Sequence, residues 1–281
     1  MLVKIAPDES RTPDQLRQHY EVERELADRL RRAPAPTRIG LYPVLYDELY
    51  RRVPLHPRLT RKKDAALARH FIEESMPILD HFLKPDSVYL EIGPGDCGLA
   101  LHVAARVRKV YAVEVSKEAT RHVKAPPNME LIISDGKSVD VVPNTVTVAY
   151  SNQVMEHIHP DDALEQLRNI YNTLAPGGAY ICFTPNRLSG PHDISRYFDK
   201  FATGMHMREY TSQELAGLFR DVGFSRTEIY MGVKRKYSRF PLNSVIAVEK
   251  GVSVLPFFLR KHTVGLPVVR NFLRVAIVGF K

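Results

Sequence analysis

Cysteine is scarce: the chain has two in 281 residues. Cys97 and Cys182 fall at an expected turn and an expected strand, so no disulfide framework is implied and a cytoplasmic, reducing setting suits the chain. Long apolar runs are missing too. No stretch of about 18 apolar residues occurs, which leaves no segment to span a membrane. The opening MLVKIAPDESR has no apolar core of signal-peptide length. His, Asp and Glu are scattered without the close spacing of a helical or hairpin metal site, so no metal is expected. A Gly-x-Ser-x-Gly elbow and a phosphate loop ending in Gly-Lys-Ser/Thr are absent, as are internal repeats and low-complexity tracts. What remains is an ordinary globular composition, 44% hydrophobic and 26% charged, long enough to bury a full core.

The net charge of +8 is unevenly placed. Lys234 to Lys281 holds ten Lys or Arg and one acid, Glu249, giving +9; the rest has 30 basic and 31 acidic residues, giving −1. In that tail the cations alternate with Phe240, Val254, Leu255, Phe257, Phe258, Leu259, Leu266, Val268 and Phe272. Two readings stand: a solvated basic surface over a packing face, or a contact through residues 235–274 with a membrane surface or a lipid-linked substrate. Without a recognition module, a nucleic-acid partner ranks lower.

The most informative stretch is SVYLEIGPGDCG, residues 87–98. An apolar run ending in a glycine turn is how a strand presents a nucleotide-like cofactor to the following helix. Gly93 and Gly95 lack a Cβ, so backbone can approach a ligand closely. Gly93, Gly95 and Gly98 satisfy G-x-G-x-x-G, and Glu114 lies near the distance of a ribose-binding acid, which alone would also suit a nicotinamide dinucleotide and a dehydrogenase. Glu91 shifts the balance: a carboxylate two residues before the first glycine repels a phosphate and attracts the ammonium of a methionine moiety. Asp135 after Met129 to Ile133 offers an acid for an adenine amino group, and LAPGG leads into a further strand. These features favour S-adenosylmethionine over NAD.

LEIGPGDCG, YAVEVS, ISDG, SNQVMEHIH and LAPGGAYICFTPN, in that order, resemble the successive motifs of class I S-adenosylmethionine-dependent methyltransferases over about residues 86–233 and the last strand. Within that superfamily the chain is most similar to the quinone-methylase-like group, which mostly methylates oxygen on small molecules, lipids or glycans. One departure is Cys97, standing where the family often has a third glycine. The resemblance implies an α/β Rossmann-like fold: a seven-stranded, mostly parallel sheet with helices on both faces and a reversed hairpin end. It also implies cofactor contacts at Glu91, Gly93, Gly95, Glu114, Val115, Asp135, Gly136, Asn152 and Gln153, the last two bordering the sulfonium. The signature Asn/Asp-Pro-Pro-Tyr/Phe of base N-methylation is missing after the fourth strand. O-methylation of a small-molecule, lipid-linked or glycan acceptor is therefore the leading expectation, with C- or N-methylation of a small molecule as the alternative.

The organisation expected is an arm and helical cap over 1–84, a cofactor-binding core over 85–234, and a basic-apolar insertion with the last core strand over 235–281. Residues 1 to about 18 read as a poorly ordered arm; Tyr20–Arg32, Pro43–Arg52 and Asp64–Leu83 read as helices across the cofactor mouth. Strands are expected at Val88–Ile92, Lys109–Glu114, Met129–Ser134, Val146–Ser151 and Ala179–Thr184, then at Phe224–Val233 and Asn271–Phe280. Methyl transfer needs little side-chain chemistry, but a hydroxyl acceptor gains from a base. His192 and Asp193, in the loop after the fifth strand, and His157, after the fourth, are the candidates.

Overall fold

In the computed structural model, residues 9–61, 65–233 and 235–281 are described. The strand–helix alternation closes into one mixed sheet. β1 (Val88–Ile92), β2 (Lys109–Glu114), β3 (Met129–Ile133), β4 (Val146–Asn152) and β5 (Leu174–Phe183) are mutually parallel. β6 (Arg226–Val233), β7 (Lys236–Phe240) and β8 (Val275–Phe280) continue it antiparallel. The spatial order is β3-β2-β1-β4-β5-β8-β6-β7. The topology reverses beside β1, so the C-terminal ends of β1, β2 and β4 open onto a crevice, the place where ligands bind in such sheets.

Period-two alternation divides the core. Val88, Leu90 and Ile92 of β1 face one side and Tyr89 the other. The first side is covered by α1 (Pro13–Arg32), α2 (Ala35–Arg52), α7 (Pro160–Thr173) and α8 (Ser212–Val222), through Leu26, Leu45, Leu167 and Phe219. The second is covered by α4 (Ala65–Leu79) and α5 (Gly98–Ala104), through Ile78, Leu79, Ala100 and Val103. Two short helices, α3 (Pro57–Arg61) and α6 (Lys117–Thr120), follow α2 and β2.

Several boundaries differ from the sequence expectation. Of the expected arm, residues 1–8 lie outside the described residues, and Pro13 to Gln18 belong to α1. Thr12 and Gln15 form a reciprocal capping box, Pro13 sits where a missing N–H costs nothing, and Leu16 is fully buried. α2 starts at Ala35 and runs through Pro43; burial of Tyr42 and Leu45 on either side of it holds the helix together although proline removes one helical bond. The sheet has an eighth strand, in which Val233 pairs with Lys236; of the residues between them, Lys234 lies outside the described residues and Arg235 has φ 62°. Tyr237 packs over Gly232 and edge-on to Phe183, while Lys236, Ser238 and Arg239 face water, giving a charged edge strand. The chain between β7 and β8 folds into α9 (Leu242–Ser253), α10 (Phe257–Gly265) and α11 (Pro267–Phe272), so the last strand begins at Val275, not Asn271.

One buried ion pair fastens α2 to α7. Arg38 donates from Nε and Nη2 to the two carboxylate oxygens of Asp162 at 2.8 and 2.9 Å. Tyr42 Oη donates to Asp162 Oδ2 and accepts from His159 N, both at 2.9 Å. Asp162 is 2% exposed and Arg38 3%, and its hydrogen bonds to Arg38 and Tyr42 hold the Asp162 carboxyl below its ordinary range against desolvation. Arg38→Met strands a buried carboxylate, and a loss of about 3–5 kcal/mol in urea unfolding is expected. Arg52→Ala removes only the half-exposed pairs with Glu25 and Glu48, and the same measurement is expected to move by about 1 kcal/mol or less.

Candidate active site

The glycine turn after β1 is held from the end of β2. Glu114 accepts from Gly95 N at 2.8 Å through one carboxylate oxygen, and from Val115 N at 2.9 Å and Ser116 N at 3.1 Å through the other. Gly93 has φ +67°, and a Cβ there would stand 2.5 Å from Val154 Cγ2, so only glycine lets the turn lie against the loop after β4. Cys97 takes the left-handed conformation at φ 61° where the family pattern favours glycine, and it does so fully buried at the start of α5. The turn keeps its shape with a side chain in place.

Above this edge lies a partly open cavity enclosing about 770 Å³ of space, the solvent at its mouth included. Its floor is Ile92, Gly93, Glu114, Val115, Ser134, Gly136, Gln153 and His157. The N-terminal helices form the roof: Tyr42, Tyr46 and Tyr50 from one face of α2, with Glu23, His56 and Arg58. The Tyr42 ring would stand 2.8 Å from a Cβ on Gly136. Arg58 Nη2 donates to Gln153 O at 3.0 Å and its Nη1 reaches the Gly95 turn, so the guanidinium crosses from roof to floor. Tyr46 Oη is buried with no hydrogen-bond partner among the described residues, a polar group aimed where a ligand can satisfy it.

The expected site residues divide. Gly93, Glu114, Val115, Gly136, Gln153 and His157 line the cavity. Gly95 serves the turn, and Asn152 closes β4 half-buried. Glu91, by strand alternation, shares the other face with Tyr89, whose hydroxyl donates to it at 3.3 Å; burial pushes its carboxyl up to about 8. Asp135 turns into its own loop, accepting from Lys137 N, Ser138 N and Ser138 Oγ. His192 packs on Ser189 and the Asn186 carbonyl. Asp193 caps the short 3₁₀ turn Ile194–Tyr197, accepting from Ser195 N, Ser195 Oγ and Gly204 N. Neither His192 nor Asp193 is among the cavity residues. The roof helices are those expected across the mouth, but the sequence reading names none of their tyrosines as site residues, although those at 42, 46 and 50 stand at four-residue spacing, which puts three rings on one helix face.

His157 sits in a charged surrounding. Its Nδ1 lies 3.0 Å from the Met205 carbonyl, which can only accept, so Nδ1 carries the proton and Nε2 the lone pair. Beside it, with ring centroids 4.7 Å apart, His206 is bonded to Glu209 at 2.8 Å and pushed up to about 9 by that bond and by the Glu156 and Asp193 charges. Burial, the His206 charge and Arg58 push His157 well below its ordinary value. Among the described residues, two groups have ligand-type atoms within 4.8 Å of one another: His19, Glu23 and His56, and Glu156, His157 and His206. In the first, His19 Nδ1 accepts from Arg11, so its Nε2 proton goes to Glu23 and no lone pair is left. In the second, His206 presents a proton at neutral pH.

Comparison with known proteins decides the family. A family model described as a methyltransferase domain matches residues 59–229. The chain belongs to the methyltransferase domain family. A protein of Mycolicibacterium smegmatis described as a probable S-adenosylmethionine-dependent methyltransferase is 27% identical over 136 residues, 48% of this chain and 51% of that protein. A probable ribosomal RNA small subunit methyltransferase A of Pyrobaculum aerophilum is 32% identical over 84 residues, 28% of this chain and 36% of that protein. The chain thus spans about half or less of the curated relatives it matches. Among solved structures, a S-adenosylmethionine-dependent methyltransferase from Archaeoglobus fulgidus superposes with a TM-score of 0.53 at 15% identity, covering 85% of this chain and 100% of that one. A chain of the Haloferax volcanii complex between the Trm112 methyltransferase activator and a methyltransferase gives 0.55 at 14% identity, covering 79% and 94%. The fold is the class I methyltransferase fold, and the nicotinamide alternative falls away.

S-adenosylmethionine is the cofactor of this methyltransferase domain, and the residues present fit it: a close-approach glycine turn, an acid at the end of β2 and an apolar-walled cavity with one orphan hydroxyl. Glu114→Ala removes the acceptor for three backbone N–H groups at the turn. It is expected to weaken S-adenosylhomocysteine binding by about 1–3 kcal/mol in calorimetry, with far-UV circular dichroism retained.

Proposed function

We propose that this chain methylates an oxygen nucleophile of a small-molecule acceptor, with His157 as the group that takes the acceptor's proton. When bound, S-adenosylmethionine supplies a methyl group already activated on a sulfonium. The chain's residues then have three tasks: hold both reactants, exclude water and receive a proton. Glu114 is assigned to the ribose hydroxyls, with Val115 and Gly136 beside the adenine. The Gly93–Gly95 turn, Asn152 and Gln153 border the methionine portion, and Arg58 is assigned to its carboxylate, for which a guanidinium fork is suited. The acceptor would lie under Tyr46, Tyr50 and Met205, which line the same cavity as His157.

The observation that carries this reading is the 3.0 Å approach of His157 Nδ1 to the Met205 carbonyl, from which the tautomer follows. An imidazole whose Nδ1–H is fixed on the Met205 carbonyl and whose basicity is lowered by burial stays neutral at physiological pH, with a lone pair at Nε2. Such a group serves a nucleophile that must lose a proton, as a phenol or alcohol does. Quinone-methylase-like resemblance supports the same acceptor class. His192 and Asp193 are hydrogen-bonded within their own loop and hold it in shape in this reading.

Two measurements test it. His157→Asn is expected to lower kcat by about 10²–10⁴-fold while S-adenosylhomocysteine affinity stays within error; an unchanged kcat removes the base. His206→Gln deletes the neighbouring cation, so the His157 pKa should rise. The acidic limb of the kcat–pH profile is then expected to move to higher pH, since His157 must be deprotonated to act.

A further inference from the structure

The helices between β7 and β8 leave one face uncovered among the described residues. α9 turns Val245, Glu249 and Val252 inward. Val252 joins Leu188 and Leu273 in a small apolar cluster, with Val264 of α10 and Val269 of α11 against it. Five other apolar side chains point to water: Val254 is 81% exposed, Phe258 70%, Leu259 51%, Leu266 56% and Val268 69%. Neither α10 nor α11 holds a fully buried residue. Exposed large apolar groups elsewhere in the chain are spread over several elements, whereas these five fall within residues 254–268.

The charge around them has one sign. Lys250, Lys261, Arg270 and Arg274 are exposed on the same segment. Its single acid is withdrawn from the surface: Glu249 is buried and accepts from Asn186 Nδ2 at 2.6 Å, Ser212 N at 2.7 Å and Gln213 N at 3.3 Å. What this segment turns outward is therefore apolar and cationic, with no acid of its own among it.

Each class of partner makes a different demand on such a surface. A second copy of this chain would set like charges against each other. A nucleic acid would satisfy the cations but offers no apolar bed for Val254, Leu259, Leu266 and Val268. A bilayer with anionic headgroups answers both, since phosphates meet Lys and Arg while the acyl boundary receives the apolar side chains. We infer that α10 and α11 form an interfacial contact surface for anionic lipid membranes. The surface joins the rest of the fold through α9, whose Glu249 holds Asn186, at the start of the loop that runs on to Met205 in the cavity wall. This inference does not rest on the acceptor chemistry proposed above.

The test is co-sedimentation of the full chain with vesicles of phosphatidylcholine alone or with phosphatidylglycerol added. Binding is expected only to the anionic vesicles, and salt should weaken it. Two double variants are compared, Phe258→Ser with Leu259→Ser and Lys261→Glu with Arg270→Glu. All four positions are exposed, and each pair is expected to lower vesicle affinity about ten-fold or more. Unchanged S-adenosylhomocysteine affinity in the same proteins reports an intact fold. Failure of the wild type to bind anionic vesicles overturns the inference, as does equal binding by wild type and variants. RNA binding that survives the Phe258/Leu259 change, with no vesicle binding, would give the face to nucleic acid instead.

Discussion

The cavity depends on Asp162. Its carboxylate receives Arg38 and Tyr42 from α2 and lies in the first turn of α7, which itself packs on the sheet. Without this junction, α2 would rest on the sheet edge by apolar contact and the hydrogen bond from Ser116 Oγ to Asp47. With it, the register of α2 over the edge is set by bonds that tolerate little sliding, and three tyrosines four residues apart are brought above the glycine turn. A buried ion pair is weak evidence for stability in general. Here it acts as a locating pin, and the geometry of the roof follows from it.

Electrostatics within the site follow from a second, smaller arrangement. Glu209 and Glu156 hold His206 as a cation, and that cation disfavours protonation of His157 next to it. Two histidines with edge-to-face rings thus have opposite protonation states at neutral pH, separated by their partners and not by their depth. A carboxylate faces one ring and a carbonyl the other, and this difference sets which can receive a proton.

The sequence made the sheet readable because its cues are local. Five parallel strands are short apolar runs, the glycine turn is a motif, and Thr211 with Glu214 closes a capping box at the start of α8. β7 was missed because KYSRF is charged and its two aromatics, Tyr237 and Phe240, fall on opposite faces; its pairing depends on β6, which no local pattern shows. Glu114 and Asp135 are both acids after apolar strands, yet their side chains diverge: Glu114 reaches across to the turn, while Asp135 folds back on Ser138. Choosing between those outcomes requires the loop conformation, which single-residue chemistry does not contain. His157 had only a motif to recommend it, and its distinguishing bond runs to Met205, 48 positions away. Long-range partners of that kind are invisible until the chain is folded.

The roof and its rim differ in strength. Leu45 and Leu49 belong to the same apolar cluster as Leu90 and Ala149, so α2 is a structural wall that cannot swing aside without exposing the interior. At the rim, Arg58 meets the Gln153 carbonyl through a single solvent-accessible hydrogen bond. A lone bond of that kind is worth about 1 kcal/mol and can break and reform freely. The enclosure thus joins a wall anchored in the core to a rim where one hydrogen bond, Arg58 to the Gln153 carbonyl, bridges roof and floor.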